Sequence, residues 1–258
     1  MDKPMLVVAN WKMHGSISFI NSYIDELLRD YAPDAQSSLV MAVPFIYVPA
    51  LAERLQNKSI SLAAQNVSAY EKGPYTGEVA APMLGDFGCD YAIIGHSERR
   101  QYFAEDNQII LRKVQEALKY GIRPILCVGE TEKDFNQGKR ETVVQAQLEA
   151  VLAGIDKTEI EPIIFAYEPV WAIGTGLTAT PEQAQAMHGV IRDTISQHAG
   201  ATIAAGATIL YGGSVKPGNA QSLVNQQDVD GFLVGSASLN PQSLLKIYHV
   251  KPDSQQGS

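Results

Sequence analysis

Residues 163–176 read IIFAYEPVWAIGTG, and this stretch joins a buried strand to a carboxylate at its end. The apolar run 163–167 is typical of a core strand, and Glu168 follows it directly. Pro169 cannot donate to a strand ladder, so a loop begins there, and two glycines make its far end flexible. A lone acid at a strand end, beside a loop with a rigid start and a flexible end, predicts a general base under a lid.

Short apolar, β-branched runs with turn residues at their ends recur along the whole chain. Including the run above, they lie at 5–11, 38–44, 60–66, 91–96, 123–129, 162–168, 206–211 and 230–235. Most are apolar at nearly every position, which is typical of strands buried on both faces of a parallel sheet. Between them, apolar residues at three-to-four spacing predict helices at 18–30, 106–120, 140–153 and 181–197.

About eight strand–helix units in ~250 residues predict a (β/α)8 barrel, the TIM-barrel fold, as one α/β domain. We expect this catalytic domain to span residues 1–250, with a polar, frayed tail at 251–258. A doubly wound sheet is the alternative, but it usually has fewer units or a second domain.

The composition argues against several classes of protein. A net charge of −8 in 258 residues does not suit a nucleic-acid-binding protein. No apolar stretch approaches the ~20 residues of a membrane span, and no secretion signal is recognisable. Cys89 and Cys127 lie in or beside apolar runs without metal-binding spacing. We therefore expect buried, reduced thiols, no metal site and a cytoplasmic location.

Polar residues and glycines collect at the predicted carboxyl ends of the strands, where barrels place their active sites. Lys12 follows the first strand, and His96 follows the fourth. His96 also precedes a possible helix N-terminus, whose positive potential disfavours an imidazolium, so we expect a neutral ring at pH 7. The turns 212–214 and 235–236 fit the phosphate site that barrels form after strands seven and eight.

Each of these residues also has a structural alternative. A lone Lys12 is more often a solvated loop lysine, and a lone histidine is more often a partly buried, hydrogen-bonded one. Glu98 and the pair 99–100 favour structural salt bridges over catalysis, and the glycine turns could be plain turns.

Seven sequence stretches, in order over nearly the whole chain, resemble the triosephosphate isomerase family. They are NWKM at 10–13, AQNV at 64–67, YTGE at 75–78, IIGHSERR at 93–100, CVGE at 127–130, AYEPVWAIGTG at 166–176 and YGGSV at 211–215. The two longest are highly specific, whereas any short one alone is not. The resemblance implies an aldose–ketose isomerase of glycolysis and gluconeogenesis that interconverts dihydroxyacetone phosphate and D-glyceraldehyde 3-phosphate. It also implies a cytoplasmic homodimer that needs neither metal nor organic cofactor and binds neither nucleic acid nor membrane.

The resemblance assigns a role to each matching residue. Glu168 would move a proton between C1 and C2 of the substrate, and His96 would be the electrophile at the enediolate oxygens. Lys12 would supply fixed positive charge to the phosphate and the developing oxyanion. Asn10 would help to position the substrate, and Glu98 would hydrogen-bond Lys12 within the site.

The resemblance also implies a phosphate cradle, a lid and a dimer contact. The backbone N–H groups that bind phosphate would be those of Gly174, Ser214, Gly235 and Ser236. The lid would be Pro169, Val170, Trp171, Ala172, Ile173, Gly174, Thr175 and Gly176. Trp171 and Tyr211 would make contacts that hold the lid shut. Thr76, on the long loop 66–85, would dock into the site of the neighbouring subunit.

Two positions depart from the usual pattern of the family. Ser236 stands where the family usually has glycine, and serine lacks the freedom of glycine at positive φ. We therefore expect activity to persist with an altered affinity for phosphate. His14 stands where many relatives carry asparagine, beside the expected dimer interface, and the sequence offers no account of it.

Two other functions stay open at this stage. A barrel that binds sugar phosphates without turnover would be expected to lack the base, the lysine or the histidine, yet all three are present. A barrel isomerase for a larger phosphorylated ketose is disfavoured by a short lid over a small site.

Overall fold

The computed structural model describes residues 3–173 and 178–253, and its eight strands close into one parallel barrel in the order β1 to β8. The strands are β1 (Met5–Asn10), β2 (Ser37–Val43), β3 (Ile60–Ala64), β4 (Cys89–Ile94), β5 (Arg123–Val128), β6 (Ile164–Tyr167), β7 (Thr208–Tyr211) and β8 (Gly231–Val234). All eight predicted runs overlap these strands. Because β1 pairs with β8, the sheet has no free edge, and the doubly wound alternative is wrong.

Helices follow the strands and cover the outside of the barrel. They are α1 (Ile17–Asp30), α2 (Val48–Leu55), α3 (Ala81–Gly85), α4 (Ser97–Tyr102), α5 (Asn107–Lys119), α6 (Glu132–Asn136), α7 (Arg140–Leu152), α8 (Pro181–Ala199), α9 (Ala201–Gly206), α10 (Ala220–Val224) and α11 (Pro241–Tyr248). Short 3-10 helices lie at Phe45–Tyr47, Lys157–Glu159, Val170–Ala172 and Ser236–Leu239. The four predicted helices are confirmed as α1, α5, α7 and α8.

The strands bury both faces, which explains their nearly continuous apolar sequence. In β1, Leu6 and Val8 belong to the core inside the barrel, whereas Val7 and Ala9 pack with the helices outside it. Cys127 lies in the inner core. Such two-sided burial fixes each strand, so the residue directly after it is delivered to a defined place at the barrel mouth.

Local sequence determines where the helices begin. Thr180 caps α8 by accepting a hydrogen bond from the Gln183 N–H, and the Gln183 side chain accepts from the Thr180 N–H. Pro181 occupies the first turn, where its missing N–H costs nothing. This arrangement confirms the helix start predicted from the sequence.

The chain beyond α11 stays in contact with the barrel. The Lys251 ammonium lies 2.9 Å from a carboxylate oxygen of Asp34. The Asp253 N–H donates to the Asn225 side chain over 3.0 Å. Residues 254–258 of the predicted tail lie outside the described residues.

Both cysteines are buried free thiols, and burial raises the pKa of Cys89 to about 12. Within the described ranges, no group of three or more His, Cys, Asp or Glu residues could hold a metal ion. No helix there is both long and apolar enough to cross a lipid bilayer.

His188 is a fully buried residue of α8 that packs against the rings of Tyr167 and Tyr211. Its Nδ1 lies 2.9 Å from the Asp228 carbonyl oxygen, so the neutral ring donates from Nδ1. Burial disfavours the imidazolium and lowers the pKa of His188 to about 4. The folded barrel therefore holds this ring uncharged at neutral pH.

Acidification is expected to destabilise the fold through His188. Between about pH 6.5 and about pH 4 the unfolded chain protonates this histidine and the folded chain does not. The free energy of unfolding therefore falls as pH falls, by about 3 kcal/mol from this residue. Urea unfolding at several pH values from 7 to 4 measures the slope. His188→Asn should flatten it and His198→Asn, in the same helix but less buried, should not; equal slopes for both variants would refute the assignment.

Candidate active site

A cavity of about 480 Å³ opens at the carboxyl ends of the strands. It brings together most of the residues that the sequence singled out, namely Asn10, Lys12, His96, Glu98, Glu168, Ser214, Gly235 and Ser236. His14 also lines its rim. Gly174, Thr175 and Gly176 lie outside the described residues, so the predicted phosphate contact of Gly174 stays a prediction.

Glu168 is the most deeply buried carboxylate of this cavity, with 1% of its surface exposed. One oxygen lies 2.9 Å from His96 Nε2, and the other accepts the Ser97 N–H over 2.9 Å. The Ser97 hydroxyl adds a longer bond of 3.3 Å. Burial favours the protonated acid, but His96 and the Ser97 N–H outweigh it and lower the pKa of Glu168. The carboxylate is therefore ionised, and His96 and Ser97 hold it against the cavity wall.

The backbone around Glu168 is pinned on both sides. Its N–H donates to the Val128 carbonyl over 2.8 Å, and the Gly212 N–H donates to the Tyr167 carbonyl over 2.7 Å. Gly129 packs so closely that an added Cβ would lie 1.8 Å from the Glu168 carbonyl oxygen. Only glycine fits at position 129 without displacing the backbone of Glu168, a requirement that sequence reasoning missed.

His96 forms the N-cap of α4, with its Nδ1 accepting the Glu98 N–H over 3.3 Å. Burial disfavours a charged ring, but the adjacent Glu168 carboxylate outweighs burial and raises the pKa of His96. An Nδ1 that accepts a hydrogen bond carries no proton, which favours the neutral Nε2–H form. The influence of Glu168 on the ring would end if that carboxylate moved away, whereas the Glu98 N–H would stay. A neutral His96 therefore stays our prediction for the substrate complex.

Lys12 is one of two lysines that line the cavity, and Lys216 is the other. The Lys12 Nζ lies 2.6 Å from a carboxylate oxygen of Glu98, and the Lys12 N–H donates to Asn10 Oδ1 over 3.0 Å. The backbone of Lys12 is left-handed, with φ of 52°. This conformation is unfavourable for a residue with a side chain and recurs at functional sites. Sequence reasoning placed the charge correctly but gave no sign of the strain.

The turn after β8 lies across the cavity mouth beside Lys12. A Cβ added at Gly235 would lie 3.6 Å from Lys12 Cε, and Ser236 begins a 3-10 helix. Apart from glycines, positive φ occurs in the described chain only at Lys12, Asn57 and Ala104. The backbone strain that we expected at Ser236 is therefore absent, and that reason for an altered phosphate affinity is wrong.

The Ser236 side chain still lines the cavity, so its hydroxyl can donate to a bound anion. We expect Ser236→Gly to raise KM and the phosphate inhibition constant about two- to tenfold, the range of one hydrogen bond. Steady-state kinetics with inorganic phosphate as inhibitor measures both values. Unchanged constants would show that the hydroxyl does not contact the anion.

The described part of the predicted lid, residues 169–173, is anchored to a buried carboxylate. Trp171 Nε1 donates to Glu130 over 2.8 Å, and the Tyr167 hydroxyl donates to the same oxygen over 3.0 Å. Burial raises the pKa of Glu130, which is completely enclosed. The CVGE stretch contains Glu130, but its sequence alone carried no sign of this contact. Tyr211, the other predicted lid contact, lies buried in β7.

Comparison with known proteins gives consistent matches over the entire barrel. The family model described as triosephosphate isomerase matches residues 5–251. The triosephosphate isomerase of Alkalilimnicola ehrlichii is 48% identical over 248 residues, 96% of this chain and 98% of the relative. That of Coxiella burnetii is 46% identical over 248 residues, 96% of this chain and 97% of the relative. That of Chloroflexus aurantiacus is 44% identical over 246 residues, 95% of this chain and 98% of the relative.

Proposed function

Because the chain belongs to the triosephosphate isomerase family, we propose that the cavity at its barrel mouth is the catalytic site of that reaction. The chain is an isomerase that interconverts dihydroxyacetone phosphate and D-glyceraldehyde 3-phosphate, a step of glycolysis. The observation that supports the site best is the convergence of Glu168, His96 and Lys12 in one cavity. The catalytic domain would span residues 1–250.

Glu168 is the base of the proposed mechanism. It takes a proton from C1 of dihydroxyacetone phosphate, which leaves an enediolate, and returns a proton to C2, while the hydroxyl proton on O1 passes to O2. A carbon next to a carbonyl is a weak acid, so the reaction needs a base shielded from water and donors at the oxygen that gains charge. Glu168 is enclosed, and a short movement from Ser97 would bring its carboxylate into the cavity.

His96 and Lys12 stabilise the charge that develops on the substrate. A neutral His96 donates from Nε2 to the enediolate oxygens. In the structure this nitrogen faces Glu168. Lys12 supplies a fixed charge near the phosphate and the oxyanion, and Asn10 holds the Lys12 N–H. A carboxylate base beside a neutral histidine is the known arrangement of this enzyme family, so the pairing itself follows from family membership.

The phosphate would be bound by backbone N–H groups at Ser214, Gly235 and Ser236 together with Gly174 of the lid. These N–H groups would bind the phosphate dianion locally, although the protein as a whole carries a net charge of −8. Lid closure over the phosphate would exclude water and slow loss of phosphate from the enediolate. Phosphate binding and lid closure would then be one event.

A coupled assay with D-glyceraldehyde 3-phosphate tests this function directly. Turnover that disappears in Glu168→Gln supports the proposal. Binding of the substrate without turnover would indicate a non-catalytic sugar-phosphate-binding barrel instead. Activity only with a larger phosphorylated ketose would indicate a different isomerase.

We also propose that two copies form a homodimer in the cytoplasm. Large apolar side chains are exposed at several places on the described chain, and Met13 is the most exposed of them at 95%. The others are Ile17, Ile46, Tyr70, Tyr75, Met83, Phe87, Tyr102 and Phe103. A second copy of the chain would bury part of this exposed apolar area.

Thr76 would reach the neighbouring active site from the long loop after β3. The neighbouring Tyr75 stacks on Tyr70 with ring centroids 3.8 Å apart, which stiffens the loop near its tip. Sedimentation at micromolar concentration tests the dimer, and a monomer there would refute it. Activity regained on mixing a Thr76 variant with a Lys12 variant would show that the loop crosses between subunits.

A further inference from the structure

The left-handed backbone of Lys12 needs a structural cause. With φ of 52°, it is one of three non-glycine residues of the described chain in this region. The conformation costs an ordinary residue about 1–2 kcal/mol, so surrounding contacts must hold it. The direction of the Lys12 side chain depends on this backbone, and hence so does the place of its ammonium.

Hydrogen bonds hold the Lys12 backbone on both sides. Its N–H donates to Asn10 Oδ1 over 3.0 Å, and its carbonyl accepts from Gln65 Nε2 over 2.9 Å. The same Gln65 amide donates its second hydrogen to the Ala42 carbonyl over 2.9 Å. That carbonyl also accepts the Trp11 N–H over 3.0 Å. Gln65 therefore ties the loop that carries Lys12 to the end of β2.

The barrel register places Gln65 at this position. It directly follows β3, whose last residues pair with β2 as Ala63 with Ala42 and Ala64 with Val43. A rigid strand end thus presents the amide to both carbonyls. The Lys12 side chain also has a contact from its Nζ to Glu98. That contact fixes only the far end of a flexible side chain.

We infer that Gln65 is a positioning residue of the isomerase, which sets the left-handed backbone of Lys12 and through it the place of the Lys12 ammonium. The inference rests on the proposed role of Lys12. Gln65 is not among the described residues that line the cavity, so it acts through Lys12 and not on the substrate. Without its amide, the Lys12 carbonyl loses its donor and the backbone relaxes toward an ordinary φ. The Lys12 ammonium is then displaced from the phosphate and from the oxyanion. This displacement raises KM and lowers kcat together.

Gln65→Met tests this inference, because methionine keeps the length of the side chain and removes both donors. We expect kcat/KM to fall about tenfold, the range of one well-formed hydrogen bond, with a matching rise in the inhibition constant of glycerol 3-phosphate. Gln65→Glu keeps the shape and also lacks the donors, so it should show a comparable loss. Gln115→Met removes a single 2.9 Å bond to the Gly154 carbonyl on the exposed side of α5, and it should leave kinetics unchanged.

A double-mutant cycle with Lys12→Ala separates positioning from general loss of structure. If Gln65 acts through Lys12, Gln65→Met should cost about tenfold in the wild-type background and less than about twofold in the Lys12→Ala background. Equal losses in both backgrounds would overturn the inference. If neither Gln65 variant folds, the residue supports the barrel and the inference is also wrong. If the wild type turns over and Gln65→Met has an unchanged kcat/KM, this inference alone is rejected. A wild type without turnover would reject the proposed function.

Discussion

Glu168→Asp should lower kcat at least about 100-fold, because shortening the side chain withdraws the base by about 1 Å or more from the carbon-bound proton. Glu168→Gln removes the base altogether and should cost up to about 10⁴-fold, the upper range of general-base catalysis. In both variants the inhibition constant of glycerol 3-phosphate should change less than about threefold, since the phosphate is held by other groups. Steady-state kinetics in both directions, together with inhibition by this analogue, measures the two effects separately.

The control for this prediction is Glu53→Asp, which shortens an exposed glutamate of α2 by the same methylene group. It should leave kcat unchanged. A Glu168→Asp protein with wild-type kcat would remove Glu168 from the role of base. A loss that lay entirely in KM would assign it to binding instead.

Lys12→Ala should damage binding and turnover together, with a loss in kcat/KM of about 10³–10⁵-fold. Loss of a charged hydrogen bond to phosphate accounts for about 10–100-fold, and loss of charge at the oxyanion for about 10²–10³-fold. The substitution also leaves Glu98 without its 2.6 Å ion pair at the rim of a site for a dianion. KM, kcat and the glycerol 3-phosphate inhibition constant should all change in the unfavourable direction.

Lys58→Ala is the matched control, because it removes an exposed lysine after α2 without touching the cavity. It also alters the net charge by the same amount, so long-range steering of the anion is compared fairly. Equal losses for the two variants would mean that Lys12 acts only through the net charge of the protein. An unchanged KM in Lys12→Ala would separate the lysine from phosphate binding.

The barrel could be predicted from the sequence because each strand is a local, nearly continuous apolar run. The same reasoning placed Glu168 correctly, since a residue directly after a buried strand has little choice of position. Ser97 was missed as a partner of Glu168, because the contact spans 71 residues and depends on how β4 and β6 lie in the closed barrel. Gln65 and Lys12 are 53 residues apart and were missed for the same reason.

Backbone angles were the other limit of sequence reasoning. Glycine in related proteins at the position of Ser236 suggested a positive φ, yet the serine begins a 3-10 helix. The positive φ lies instead at Lys12, and a lysine in the sequence does not indicate such a backbone conformation. Propensity describes what a residue prefers alone, and hydrogen bonds from distant strands decide what it adopts.

The two tryptophans give the enzyme a spectroscopic asymmetry. Trp11 is fully enclosed and meets Phe19 and Tyr23 edge-on, whereas Trp171 lies in the predicted lid and donates its indole N–H to the Glu130 carboxyl group. After Trp11→Phe, all tryptophan emission would come from the lid. An indole hydrogen-bonded to a carboxyl group is sensitive to the loss of that bond. Such a single-emitter enzyme would let the lid be followed in stopped flow without any added dye.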